Sequence, residues 1–259
     1  MRITTFGDLL LDVIVRLEDQ LELGADRMAE TRVGAGGQAA NVAAWAAALG
    51  ANSRFVGKRG ADAAGEIVSR ELTGHGVAVL GPVEGSTGVV VSIAQSDDRA
   101  LASDRGAATK LEGSELVADW FDCDVLHVSG YSLLVEPAAS AALRAAAMAR
   151  QTGATVSLDL SAWTLIDDSF RSRAIGLRPD LVFATEPERE AFGDFETRWV
   201  VKRGGDGVVV DGEEFAVVIT DLVDPTGAGD AFAAGFLVGG VELGLATAAR
   251  CCAKLGAMP

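Results

Sequence analysis

The chain has 259 residues, 49% of them hydrophobic, enough core for one α/β domain or two small ones. Its 22 basic and 37 acidic side chains give a net charge of −15, which argues against nucleic acid and anionic membrane as partners. Cys123, Cys251 and Cys252 lack metal-ligand spacing and fit a reducing, cytoplasmic setting; there is no signal-peptide layout and no membrane-spanning apolar run.

Residues 3–6 read as a first strand ending at Gly7-Asp8, and residues 9–15 as an extended apolar continuation interrupted by Asp12. Asp12 fits an exposed strand face; it also fits a carboxylate that accepts substrate hydroxyls, because a buried carboxylate must be paired. The glycine-rich stretch 33–41 leads into a helix over 42–49 that ends at Gly50. Gly34-x-Gly36-x-x-Ala39 approaches a dinucleotide fingerprint, but residues 29–32 are too polar for the central strand that fingerprint needs. A glycine turn that sets backbone groups and Asn41 against a polar small molecule explains more, including the Asn in so apolar a helix.

Further on, 53–56, 77–80 and 87–94 read as strands and 63–72 as a helix. Residues 97–99 read as a turn, with 100–102 as a hairpin return. Arg105 suits an anion or a solvated surface equally well. Strands at 125–128, 155–158 and 180–183 alternate with a helix over 136–150 and a short one opening at 185–190; 199–210 reads as strand, glycine turn, strand. His127, in an apolar run, reads as a satisfied core residue. This alternation implies a mainly parallel sheet covered on both faces, whose ligands bind beyond the C-terminal strand ends. Asp8, Asp159, Glu186, Glu188 and Gly204 all fall at such ends. Residues 11–33 and 87–102 do not fit the alternation and are assigned to a small β lid over the site; a single domain is expected over 1–259.

The most informative stretch is Asp224-Pro225-Thr226-Gly227-Ala228-Gly229-Asp230. It follows an apolar run at 217–219, read as the end of a strand, and precedes small apolar residues that read as a helix. A helix start offers unpaired N–H groups and a positive dipole end, and two glycines let a phosphate approach the backbone. Asp230 would repel a resting phosphate there. Taking the proton of a hydroxyl that attacks a phosphoryl group gives it a reason. A plain acidic helix cap accounts for these seven residues less well.

With these residues in place, the chain resembles the ribokinase-like (PfkB) carbohydrate kinases over nearly its whole length. The 224–230 stretch continued by Ala231-Phe232 is similar to that family's C-terminal signature, and Gly36-Gly37-Gln38-Ala39-Ala40-Asn41 to its N-terminal one. Gly7-Asp8 with Asp12, Lys202-Arg203-Gly204-Gly205-Asp206-Gly207 and Gly256-Ala257 resemble its opening, its nucleotide-side loop and the end of its last shared region. The resemblance implies a three-layer α/β sandwich with a mainly parallel central sheet and a small β lid. It implies transfer of the γ-phosphoryl group of ATP to a sugar hydroxyl with Mg²⁺. Asp230 is then the base and the N–H groups of Gly227, Ala228 and Gly229 the anion hole. Asp8, Asp12, Gly36, Gly37, Gln38, Asn41 and Arg105 hold the sugar or polyol; Lys202, Gly204, Asp206, Gly207, Thr226 and Gly229 hold ATP. Glu188 organises Mg²⁺ through water, and Asp224, Thr226, Cys251 and Gly256 surround a K⁺.

Three departures are visible. Thr185 stands where the family's Asn-x-x-Glu motif has Asn, Pro187 sits inside that motif, where a helix start tolerates it, and the chain ends soon after Gly256-Ala257, which shortens an expected wall of the adenine pocket. A nucleoside kinase on the same scaffold is the second reading, with Trp45, Tyr131 and Trp163 as base-stacking candidates. A sugar- or nucleotide-binding homologue without turnover is the third. The lid edges admit a homodimer.

Overall fold

A computed structural model describes residues 1–259 except 23, 25, 96, 97 and 219. Nine strands form the main sheet: β1 (Arg2–Phe6), β4 (Asn52–Val56), β5 (Ala78–Leu80), β8 (Val125–Ser129), β9 (Thr155–Asp159), β10 (Leu181–Thr185), β11 (Arg198–Lys202), β12 (Val208–Val210) and β13 (Glu213–Phe215). Their spatial order is β13-β12-β11-β10-β9-β8-β1-β4-β5, with every pairing parallel except β11/β12 and β12/β13. The helices are α1 (Gln38–Ala48), α2 (Ala63–Gly74), α3 (Ala138–Gln151), α4 (Asp168–Leu177), α5 (Glu186–Phe192), α6 (Ala228–Gly239) and α7 (Val241–Cys252).

Side chains alternate along β10. Leu181 and Phe183 pack with α1, α6 and α7, whereas Val182 and Ala184 join the core under α3 and α4. Burial on both faces is why these strands read as unbroken apolar runs. Some polar groups inside are tied off: Ser53 donates to the Ala43 carbonyl at 2.7 Å, fixing α1 to β4. His127 is fully buried, with Nδ1 2.9 Å from the Ser157 hydroxyl. Its Nε2 has no partner, so the ring is only half satisfied. Burial, the largest influence, pushes its pKa down to about 4.

A second, four-stranded sheet stands beside the main one in the order β3-β2-β6-β7: β2 (Leu10–Leu17), β3 (Ala29–Gly36), β6 (Thr87–Gln95) and β7 (Asp98–Gly106). β2 and β6 are parallel, and both outer pairings are antiparallel. Asp62 binds this sheet to α2: it caps Gly65 N–H at 2.8 Å and accepts the Thr87 N–H and hydroxyl at 2.8 and 2.6 Å.

Several sequence expectations need correction. The strand at 217–219 does not form: Val217 and Val218 are irregular, and residue 219 lies outside the described residues. Of the turn at 97–99, residue 97 is also outside them, while Asp98 and Arg99 already belong to β7, which runs on to Gly106. α1 begins at Gln38, so the glycine-rich stretch ends inside the helix rather than before it. The second sheet extends to residues 36 and 106, beyond the bounds of 33 and 102. Among the described residues no helix is long and apolar enough to cross a membrane.

Candidate active site

The signature stretch forms a tight turn into α6. The Asp224 carboxylate accepts the N–H of Thr226 at 2.9 Å and of Gly256 at 3.1 Å, which ties the turn to the last loop. Gly227 caps the helix with φ 80°, and a Cβ there would lie 2.5 Å from that of Ala257. Glycine is therefore required by conformation and by space. Ala228 N–H donates to the Pro225 carbonyl at 3.1 Å, so this member of the expected anion hole is already engaged by the turn. Gly229 and Asp230 follow in the first turn, where N–H groups have no partner four residues back within the helix.

Asp230 meets α1. The Asn41 amide donates from Nδ2 to Asp230 Oδ2 at 2.8 Å, across 189 residues of chain. Asp230 is partly exposed, yet its carboxyl is pushed up to about 7. Desolvation is the main cause; Asp159 and Asp8 add to it, while the Asn41 bond and Lys202 oppose it. A carboxyl titrating near neutrality, at a helix N-terminus, is suited to accept a proton and release it again.

Gly37, φ 104°, is the cap of α1, and a Cβ on it would lie 2.4 Å from the Asp8 backbone carbonyl oxygen. Asp8 is 3% exposed and forms an ion pair through Oδ2 with Arg105 Nη1. The Arg105 guanidinium lies 3.3 Å from the centroid of the Tyr131 ring. Gln38 Oε1 accepts the Ser161 hydroxyl at 2.6 Å. Asp12, on β2, faces Gly34 of β3 and Val90 of β6 in register, and its carboxylate occupies the space a Gly36 Cβ would need. It lines a polar cavity of about 230 Å³ with Arg32, Glu71, Ser92, Thr226 and Gly256. Of the seven sugar-side residues, Asp8, Gln38, Asn41 and Arg105 thus hold defined polar partners, and Asp12 with its Gly36 neighbour lies toward the small sheet.

Beyond the ends of β9, β10 and β11 lies a charged layer. Lys202 Nζ bonds Asp159 Oδ2 at 2.6 Å, with the Asp159 side chain 2% exposed. Burial lowers the Lys202 pKa, but Asp159 and then Glu188 outweigh it, and the net shift is upward. Glu188 is buried; Thr185 N–H donates to its Oε2 at 2.7 Å while the Thr185 side chain caps the same helix in return. Burial and then Asp159 hold its carboxyl above the ordinary range. Thr185 therefore serves α5 as a cap. Among the described residues no group of three or more His, Cys, Asp or Glu is arranged to hold a metal.

Lys202, Gly204, Gly207 and Gly229 line one cavity of about 410 Å³. Asp206 and Thr226 do not line it: Asp206 is exposed in the turn after β11, and Thr226 faces the polar cavity. Sequence reasoning missed the apolar walls, chiefly Val217, Val218, Leu222, Phe232 and Leu245. The apolar run at 217–218 was the signal. It is apolar because it faces this cavity, not because it enters a sheet. On the opposite side of the signature turn, the Cys251 thiol donates to the Thr226 carbonyl at 3.3 Å and lies 3.8 Å from that of Ala257. Burial pushes the thiol up to about 12, so it stays protonated. The four residues expected around K⁺ are thus neighbours. Trp45 is core, its indole N–H donating to the Ala257 carbonyl at 2.7 Å, and Trp163 is exposed.

A family model described as pfkB family carbohydrate kinase matches residues 2–258. The chain is 31% identical to an ATP-dependent ribose-1-phosphate kinase of Halopiger xanaduensis, over 97% of this chain and 90% of that one. It is 30% identical to a probable chloroplastic fructokinase of Arabidopsis thaliana, over 91% and 69%. A probable sugar kinase from Rhizobium etli superimposes with a TM-score of 0.88 at 25% identity, covering 100% of this chain and 94% of that one.

Proposed function

The chain belongs to the pfkB family of carbohydrate kinases, and on that premise we propose that it moves the γ-phosphoryl group of ATP to a sugar hydroxyl with Asp230 as general base. The supporting observation is the Asn41–Asp230 bond, which joins the first turns of α1 and α6 around a carboxyl that titrates near 7. In the step proposed, Asp230 takes the hydroxyl proton as the sugar oxygen attacks the γ-phosphorus in line. The new O–P bond forms, the bond to the β-phosphate oxygen breaks, and ADP leaves. The N–H groups at the start of α6 hold the phosphoryl oxygens as charge develops. The apolar cavity takes the nucleotide base, and Lys202 at its inner end faces the phosphates. The small sheet acts as a lid that excludes water.

Mg²⁺ fits the donors present. Magnesium is held by one or two carboxylates with water and substrate phosphates, and Glu188 supplies a carboxylate beside the phosphate-facing Lys202. When bound, it neutralises charge on the transferred group. Asp224, Thr226, Cys251 and Gly256 offer carboxylate and carbonyl oxygens of the kind K⁺ takes, and two copies pair through the lid edges. Burial of Trp45 favours a sugar over a nucleoside, since it removes one stacking surface.

The test is ADP release from Mg-ATP against sugars, polyols, sugar phosphates and nucleosides, with and without K⁺, for wild type and Asp230→Asn. The variant loses about 10²–10⁴-fold in turnover while still binding ligands. Undiminished turnover defeats the base assignment.

A further inference from the structure

Two buried acceptors at this site lack hydrogen-bond partners. Asp8 gives Oδ2 to Arg105, but its Oδ1 is bonded to nothing, although the residue is 3% exposed. Asn41 is 6% exposed; its Nδ2 is committed to Asp230, which fixes the amide orientation, and its Oδ1 is likewise without a partner. A buried unpaired acceptor is costly unless a donor arrives with a ligand. Hydroxyl groups are such donors, whereas a carboxylate or a phosphate dianion has none to give.

Three cations close to the site are committed to carboxylates. Arg105 is paired with Asp8 and stacked on Tyr131. Lys202 is paired with Asp159. Lys58 lines the same outer cavity as Arg105 and is 7% exposed; it is held by Glu84 at 2.8 Å and Glu115 at 2.9 Å. An anionic substituent beside the reacting hydroxyl would face Asp8 and Asp230, and the cation in contact with Asp8, Arg105, is already paired. Prising Arg105 from Asp8 would strand a buried carboxylate, which is strongly unfavourable.

We propose that the Asp8–Arg105 pair is a specificity device: it selects a neutral, hydroxyl-rich acceptor and rejects acceptors carrying a carboxylate or phosphate near the reacting hydroxyl. Arg105 neutralises Asp8 and holds its carboxylate so that Oδ1 takes one hydroxyl of the acceptor, while Asn41 Oδ1 takes a second. The rejection comes from the closed ion pair, a repulsive element as well as an attractive one. This rests on the kinase reading above and narrows its substrate class.

The experiment compares matched acceptors: ribose with ribose 5-phosphate, fructose with fructose 6-phosphate, and glucose with gluconate. Turnover is followed by ADP release, and binding by calorimetry to the Asp230→Asn protein with Mg-ATP present. Wild type favours the neutral member of its preferred pair by about 100-fold or more. Asp8→Asn, nearly isosteric, leaves Arg105 free. It loses about tenfold or more on the neutral member and gains on the anionic one, so the preference narrows or inverts. Arg105→Gln weakens neutral acceptors without any gain on anionic ones, because no free cation appears. A wild type that prefers an anionic acceptor, or that binds no neutral one, overturns the proposal. So do two variants that scale both members by one factor, as a purely structural pair would. Failure of the kinase reading looks different: no acceptor, neutral or anionic, would stimulate ADP release by the wild type.

Discussion

The Asp230 carboxyl, pushed up to about 7, holds its proton more tightly in the folded protein than the ordinary value of 3.8 allows. Between those pH values the folded state keeps a proton that the unfolded state has released. Stability therefore falls as pH rises through the window, and the full penalty stands above about pH 7. A shift of about three pH units amounts to about 4 kcal/mol, which partial solvent contact reduces to about 1–4 kcal/mol. Asn carries no charge at any of these pH values, so Asp230→Asn escapes the penalty. Its stability advantage over wild type is small near pH 4, less than half developed at pH 5 and complete at pH 8. At about 2–4 °C per kcal/mol for a chain of this size, the difference in Tm grows by about 1–10 °C from pH 5 to pH 8. Thermal unfolding of both proteins at the two pH values, with ADP release on the same preparations, makes the measurement. An advantage that is independent of pH, or that shrinks as pH rises, refutes the assignment of a raised pKa to this carboxyl. A variant that becomes more stable as it loses turnover shows a site held in tension for its chemistry.

Three further predictions concern its neighbours. For the wild type, kcat/KM climbs with pH to a plateau above about 7; Asn41→Ala removes a bond that holds the carboxyl down, moves this limb to higher pH and lowers activity at pH 7 by about 10–100-fold. Lys202→Met strands buried Asp159 and destabilises the fold by about 3–5 kcal/mol in urea titrations, and adding Asp159→Asn restores part of the loss; equal stability of the single and double variants would contradict this. Ala249→Trp fills the apolar cavity and weakens ADP binding by about tenfold or more, while acceptor binding persists, as calorimetry with each ligand alone can report.

The parallel sheet was legible because its strands are buried on both faces and read as plain apolar runs; β8, β9 and β10 begin within about a residue of expectation. The signature turn was legible because glycine at 227 is forced by conformation and contact alike. Other features lacked a local signal. Helix α4 opens on an Asp167 cap, but its Ser-Phe-Arg-Ser-Arg run shows little amphipathic period, so it passed unread. Val217 and Val218 have a strand's composition and a cavity wall's position, and composition cannot separate the two. Asp206 fits a loop motif in sequence yet is exposed and does not line the cavity its loop neighbours line. The pair between Asp8 and Arg105 spans 97 residues and two sheets, and nothing local to either residue announces the other.

Asn41 is the fourth residue of α1 and Asp230 the third of α6, so two helices begin at one point. Behind that point the helices are in contact, and their shared core mixes Val42 and Ala46 with Ala231 and Ala234. These small residues act as a spacer whose thickness sets the 2.8 Å between amide and carboxylate. One added methylene in the spacer, remote from every ligand, moves one first turn against the other. Displacements of about 1 Å at reacting groups cost about 10²-fold in rate. On the proposed mechanism, the tolerance for change along this small-residue seam is set by catalysis before it is set by folding, a constraint that no inventory of ligand contacts would reveal.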